Sequence, residues 1–187
     1  MQQAFSYSRL YNEDRYRKII VIGSPGSGKS VFSRKLADLS GLPLYHLDLI
    51  YHRKDRSRLS VEEFDRRLQE ILELDEWIID GNYLRSMKTR LDRCEEIFFF
   101  DLPTEICIEG IRSRAGKQRE DMPWIENEVD EDFIRFLDYV KSFREEKLPL
   151  VYELVASSDK KLTVFHSRKE ADDYLERYGN RKENIGP

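Results

Sequence analysis

The 187-residue chain is long enough for one domain with a single substantial core and short for two. Apolar residues make up 40% of it and include ten Phe and ten Tyr, which excludes a disordered chain although 36% of the residues are charged. A formal charge of -4 supplies no global field toward nucleic acid or acidic membrane, and no stretch approaches the roughly 18 apolar residues of a membrane helix, so a cytoplasmic protein without nucleic-acid or membrane partners is expected.

Residues 1–17 lack the apolar run of a signal peptide and read as a loosely held N-terminal extension. Ile19 to Ile22 is a short β-branched run stopped by Gly23, as in a buried parallel strand. From Lys29, the residues Phe32, Leu36 and Leu39 recur with helical spacing, and Gly41 supplies a C-terminal stop. A second strand is predicted at Leu44 to Leu47, followed by a polar loop from Asp48 to Arg58. Ser60 with Glu63 forms a capping box before the stripe Val61, Phe64, Leu68, Ile71 and Leu72.

Trp77 to Ile79 reads as a strand closing on Asp80-Gly81, and Ile97 to Phe100 as a central strand covered on both faces and ending at Asp101. Pro103 and Thr104 open a helix through Ile106, Cys107 and Ile111. After a basic stretch, Ile125, Val129, Phe133, Phe136, Val140 and Phe143 trace one face of a long helix. Leu162 to Phe165 is the last strand, Ser167 with Glu170 caps a final helix through Ala171, Tyr174, Leu175 and Tyr178, and residues 180–187 form a tail. This alternation predicts an α/β fold with a parallel sheet wrapped on both faces. Cys94 and Cys107 have the spacing of neither a redox pair nor a zinc site and read as buried free thiols.

Gly23-Ser24-Pro25-Gly26-Ser27-Gly28-Lys29-Ser30 satisfies G-x-x-x-x-G-K-[ST] between a strand and a helix, the pattern of a P-loop. Its glycines let consecutive backbone N–H groups turn toward a phosphate, and the helix N-terminus adds its positive end. The candidate nucleotide-binding residues are therefore these eight and Val31, with Lys29 reaching the β and γ phosphates and the Ser30 hydroxyl on Mg²⁺. Asp80, at the carboxyl end of a strand, is the first candidate for holding the metal through water; Asp101, before Pro103, better suits a helix cap. Asp48 follows a strand as well, where it would grip or deprotonate an acceptor. For His46 a packed place on the strand face is favoured, and His52 and His166 carry no stronger signal. Arg112-Ser113-Arg114-Ala115-Gly116-Lys117-Gln118-Arg119 holds four cations around a glycine, which suits a mobile lid or, alternatively, a solvated basic turn.

Together, the P-loop, Ile79-Asp80-Gly81, Phe100-Asp101-Leu102-Pro103 and the later arginines resemble the adenylate-kinase-like group of P-loop kinases over about Lys18 to Tyr178. Within that group the chain looks most like the DNA topology modulation proteins, through Tyr45-His46-Leu47-Asp48 and Trp77-Ile78-Ile79-Asp80-Gly81-Asn82-Tyr83. The resemblance implies a P-loop NTPase domain of the nucleoside-monophosphate-kinase type over 18–179, with a five-stranded parallel sheet and helices on both faces. It further implies an acceptor-binding region at about 48–76, a lid at about 112–124, and ATP with Mg²⁺. Arg114 falls on a phosphate-binding position of the lid, whereas Gly110 stands where the family carries an arginine that stacks on the donor base; the base would lie near His166 to Lys169. Where adenylate kinases hold the acceptor phosphate with a Pro-Arg pair, this chain reads Asn82-Tyr83-Leu84-Arg85.

Two functions follow. One is a phosphotransferase, monomeric or homodimeric, moving the γ-phosphate of ATP to a small-molecule acceptor, with Lys29, Arg114 and Asp48 catalytic, Asp48, Arg85 and Arg90 holding the acceptor, and Ser30 and Asp80 placing Mg²⁺. The other is a nucleotide-binding regulatory protein that affects DNA topology with little or no kinase activity.

Overall fold

The computed structural model describes residues 16–127 and 130–183. Five strands, β1 (Lys18–Gly23), β2 (Leu44–His46), β3 (Trp77–Asp80), β4 (Glu96–Phe100) and β5 (Lys161–Phe165), pair in parallel in the order β2-β3-β1-β4-β5. Every residue of β3 and β4 is buried, because helices cover both faces and leave no solvent side on which polar residues could alternate. The helices are α1 (Lys29–Ser40), α2 (Leu47–Tyr51), α3 (Val61–Leu72), α4 (Met87–Arg93), α5 (Thr104–Arg112), α6 (Glu131–Glu146), α7 (Leu148–Ala156) and α8 (Arg168–Glu183).

Strand alternation splits the core in two. Ile20, Ile22, Ile79, Ile97 and Phe99 pack with residues of α3, α4 and α7 on one face. Ile19, Val21, Ile78, Phe98 and Phe100 pack with α1, α5 and α8 on the other. The second face is built around Phe32, whose ring meets Phe98 and Phe100 edge-on with centroids 5.0 and 5.3 Å away. The local signals behave as their chemistry demands. Ser60 accepts from Glu63 N (3.2 Å) at the start of α3, and Gly41 ends α1 in the left-handed region.

Several elements depart from expectation. β2 stops at His46, and the fully buried Leu47 starts α2, so the segment expected as a loop from Asp48 begins as a helical turn. The long helix begins at Glu131; Ile125 is exposed and lies before it, and Val129 falls outside the described residues. Neither α4 nor α7 was anticipated. In α4 the apolar signal is only Met87 and Leu91 among charged residues, and in α7 Pro149 sits in the first turn, where its missing N–H costs nothing. Asp101 does not cap α5. Its carboxylate accepts from Arg144 Nη1 (2.7 Å) and Tyr152 OH (2.6 Å), tying α6 and α7 to the end of β4.

Of the expected N-terminal extension, residues 1–15 lie outside the described residues, while Arg17 O accepts from Trp77 N (2.8 Å) and so joins the sheet. α8 runs on past position 180 through Glu183. Both cysteines are free and buried, and burial pushes the Cys94 thiol up to about 12. Among the described residues no helix is long and apolar enough to cross a membrane. Phe32→Ala should cost about 3–5 kcal/mol of stability, read from urea denaturation, because it empties the centre of the α1 face.

Candidate active site

The carboxyl ends of β1, β2 and β3 meet on one edge of the sheet, where Asp80 pairs in register with both Val21 and His46. Ligands of open α/β sheets bind at this edge. The loop from Gly23 to Gly28 is tied down on both sides. Ser24 N donates to Phe100 O (2.8 Å), and the Asn82 amide takes both backbone groups of Gly23, accepting from its N–H (2.9 Å) and donating to its carbonyl (2.7 Å). Gly26, at φ +80°, lies so close to α5 that a Cβ there would stand 2.3 Å from Cys107 O. Among the described residues, the N–H groups of Gly28, Lys29, Ser30 and Val31 find no acceptor, which is the condition of a helix start awaiting an anion.

These residues wall a cleft of about 660 Å³, within the range of small-molecule sites. Pro25, Gly26, Gly28, Lys29, Ser30 and Val31 line it, whereas Gly23, Ser24 and Ser27 are buried beneath. Lys29 Nζ donates to Ser24 O (2.9 Å); burial lowers its pKa, opposed chiefly by the charge of Asp80. Asp80 Oδ2 lies 2.8 Å from His46 Nδ1, while its Oδ1 is buried with no partner among the described residues. His46 thus orients Asp80 instead of merely packing on the strand face. An aspartate with one oxygen fixed and the other open, together with the Ser30 hydroxyl, fits a water-clad Mg²⁺ held mainly by phosphates.

Asp48 and Tyr83 complete the inner wall. Tyr83 OH donates to Asp48 Oδ1 (2.8 Å), its ring stacks on Phe64 at 5.0 Å, and its backbone sits at the unusual φ of 35°. Burial raises the pKa of Asp48, the hydrogen bond from Tyr83 opposes that rise, and the charge of Asp80 adds to it. The turn is gripped from below by Arg90, which is wholly buried. Its guanidinium donates to Gly81 O (2.7 Å), to Asn82 O and to Tyr83 O (3.2 Å), and burial lowers its pKa to about 10.

Arg90 therefore holds the backbone and does not reach the cleft. Arg85 points the other way, into an exposed two-pronged pair with Asp65 (2.7 Å for one prong). Of the three residues expected to hold an acceptor, only Asp48 lines the cleft.

The lid segment after α5 divides its four cations. Arg112 and Lys117 are exposed, as in a solvated turn, while Arg114 and Arg119 turn inward to the cleft, joined there by Arg34 of α1. Carboxylates hold all three. Arg119 donates to both oxygens of Asp121 (3.0 and 2.7 Å) and to Glu126, Arg114 Nε lies 3.5 Å from Glu126, and Arg34 Nε lies 3.3 Å from Glu120. Burial alone would raise the pKa of Asp121, but Arg119 and the Ser30 hydroxyl hold it well below the usual carboxylate range. For Arg114, burial and then Arg119 lower the pKa.

Arg34, Asn82, Tyr83, Arg119 and Arg168 belong to the site without having been singled out individually. Arg34 carried a usable signal, since it lies one helical turn beyond Ser30. Arg168 did not. From the start of α8 it donates to Gly26 O (3.2 Å), Ser27 O (3.4 Å) and Ile106 O (3.0 Å), bracing the P-loop from outside. Its guanidinium also fills the space beside Gly110, where a Cβ would come within 2.3 Å of it.

A five-stranded parallel sheet whose first strand feeds a glycine loop and a helix, with an aspartate ending the adjacent strand, is the P-loop NTPase fold. Solved structures agree. The shikimate kinase of Bacteroides thetaiotaomicron superposes with a TM-score of 0.59 at 15% identity, covering 90% of this chain and 99% of that one. A shikimate kinase from Acinetobacter baumannii in complex with shikimate gives a TM-score of 0.54 at 17% identity, over 91% and 95% of the two chains. At such identities the likeness is one of fold. No protein-family model matches the chain, and no curated protein matches it.

Lys29→Ala removes a charge-assisted phosphate contact of about 1.5–3 kcal/mol, so calorimetry should show ATP affinity lowered about ten- to a hundred-fold. The two displaced arginines separate cleanly by thermal unfolding. Arg90→Ala should cost at least about 3 kcal/mol, because three buried carbonyls lose their donor, whereas Arg85→Ala should cost less than about 1 kcal/mol.

Proposed function

We propose that the protein is an ATP-dependent phosphotransferase that moves the γ-phosphate of ATP to a hydroxyl group of a small acceptor. The observation that carries this reading is Asp48, a carboxylate with a raised pKa on the wall of a phosphate-binding cleft. A protein that only sensed nucleotide would need the P-loop but would have no use for a half-buried base beside it.

In this reading the triphosphate lies along the free amides that open α1, with Lys29 at its β and γ groups. Ser30 and Asp80 would hold Mg²⁺, which would neutralise phosphate charge when bound. Arg34, Arg114 and Arg119 face the transferring phosphoryl group and exclude water from it. The acceptor oxygen bonds to the γ-phosphorus as the bond to the β–γ bridging oxygen breaks, and ADP leaves with that electron pair. Asp48 takes the proton of the acceptor hydroxyl, and Tyr83 keeps the carboxylate aimed at it.

The charged form of Asp48 is the base, so kcat/KM should fall as pH drops through its raised pKa. Tyr83 stabilises that charged form, and Tyr83→Phe should move the acid limb of the pH profile to higher pH; an unmoved limb would count against Asp48 as the base. Because the native state protonates Asp48 more readily than the unfolded state does, stability declines as pH rises from the ordinary carboxylate value through the folded pKa. Asp48→Asn removes that cost. The variant should melt no lower than the parent at neutral pH while losing about 10²- to 10⁴-fold in turnover, measured by ADP release with an acceptor panel.

A further inference from the structure

Arg34, Arg114 and Arg119 each have a carboxylate oxygen within 3.5 Å. Arg168 differs. It forms no ion pair among the described residues and does not line the cleft, and its guanidinium is directed to the carbonyls of Gly26, Ser27 and Ile106. The start of α8 aims it. Ser167 Oγ accepts from Glu170 N (3.2 Å) and the Glu170 carboxylate accepts from His166 N (2.8 Å), a reciprocal cap that fixes the backbone around Arg168. One turn further on, Asp172 pairs with Lys35 of α1 (2.8 Å), a second tie between the two helices that leaves the loop untouched.

In a trans peptide the carbonyl and the following N–H point in opposite directions. Arg168 Nε holds Ser27 O on the outer side of the loop (3.4 Å), and the other end of that peptide is the Gly28 N–H, one of the groups that find no acceptor among the described residues. Gly28 stands at φ +107°, open only to glycine in practice, so this peptide can turn easily and its direction has to be imposed. A cation behind the carbonyl draws the negative end of the peptide dipole outward and leaves the positive end toward the cleft. Gly110 is the counterpart on α5. Alanine would be the better helix former there, yet a Cβ would stand 2.3 Å from Arg168 Nη2 and 2.5 Å from Gly26 O. The bare backbone at 110 is what lets the guanidinium reach the loop.

Building on the phosphate-binding part of the phosphotransferase reading, we propose that Arg168 is a positioning residue for the donor phosphates: from outside the cleft it turns the peptide joining Ser27 to Gly28, with Gly110 clearing its path, and so sets the affinity of the loop for a polyphosphate. It acts on the phosphates and not on the nucleoside.

Calorimetry on the full chain with Mg²⁺ would compare ATP with tripolyphosphate, which has the phosphates and no nucleoside. Arg168→Ala should weaken both by about ten-fold, and Arg168→Lys, which keeps the charge but lacks the fork, by less. Methylguanidinium added to the solution should restore affinity to Arg168→Ala and not to Lys29→Ala, a response that lost packing would not give. Gly110→Ala keeps every charge and should also weaken both ligands; it carries the test should Arg168→Ala not melt cooperatively. Lys35→Ala breaks the other tie between α1 and α8 and should leave both affinities unchanged. Unaltered tripolyphosphate binding in Arg168→Ala and Gly110→Ala, a loss confined to ATP, an equal loss in Lys35→Ala, or no rescue by methylguanidinium would overturn the assignment. If both ligands respond as described but no acceptor yields ADP, the positioning role stands and the phosphotransferase reading fails. If ADP forms while Arg168→Ala binds both ligands as tightly as the parent, that reading stands and the positioning role fails.

Discussion

A single buried cation organises the centre of this site. Arg90 reaches from α4 to the carbonyls of Gly81, Asn82 and Tyr83, a turn that holds Tyr83 at positive φ and would not keep its shape unaided. Everything facing the cleft from that turn depends on the grip. The Asn82 amide can then fasten Gly23 by both backbone groups, and the Tyr83 hydroxyl can reach Asp48. One guanidinium thus couples the phosphate loop to the carboxylate on the opposite wall, although it touches neither. Desolvating an arginine is costly, and here the cost is offset because the charge is spread over carbonyls that would otherwise be buried unpaired.

A second chamber, of about 410 Å³, opens from the nucleotide cleft at Asp48, and the walls of the two are chemically different. The nucleotide side consists of helix amides, Lys29 and the inward arginines, an arrangement for a polyanion. The other side is lined by ion pairs, Arg56 with Asp130, Arg135 with Asp132 and Glu126 with Arg114, beside the rings of Trp124 and His52. Asp80 and Asp48 lie at neighbouring strand ends but have different partners, His46 for the one and Tyr83 for the other.

What could be read from residues alone follows a physical line. β1, β3 and β4 were legible because buried parallel strands are apolar on consecutive positions, the partly exposed edge strand β5 because its Leu-Thr-Val-Phe run is rich in strand formers, and α1 and α3 because their caps and stripes are local. The P-loop was legible for the same reason, as were Asp48 and Asp80, whose place is decided by the strand each one follows. α4 and α7 were not, since the first has only two apolar residues in its seven and the second begins beside a proline. The arginines were the least legible, because a long cationic side chain takes its role from whichever acceptor the fold delivers. Arg85 found Asp65 on α3, Arg90 found the carbonyls of its own turn, and Arg168 found the P-loop across 142 residues of chain. The likeness to DNA topology modulation proteins rests on two short motifs, and the structural comparisons bear only on the kinase fold.

The lid arginines have one further implication. Arg119 and Arg34 are already paired with Asp121 and Glu120, and Arg114 Nε stands 3.5 Å from Glu126 without a hydrogen bond, so an arriving anion meets cations that carboxylates already face. Exchanging one anion for another flattens the energy difference between the empty and filled states. It trades tightness of grip for ease of release of whatever anion the cleft takes.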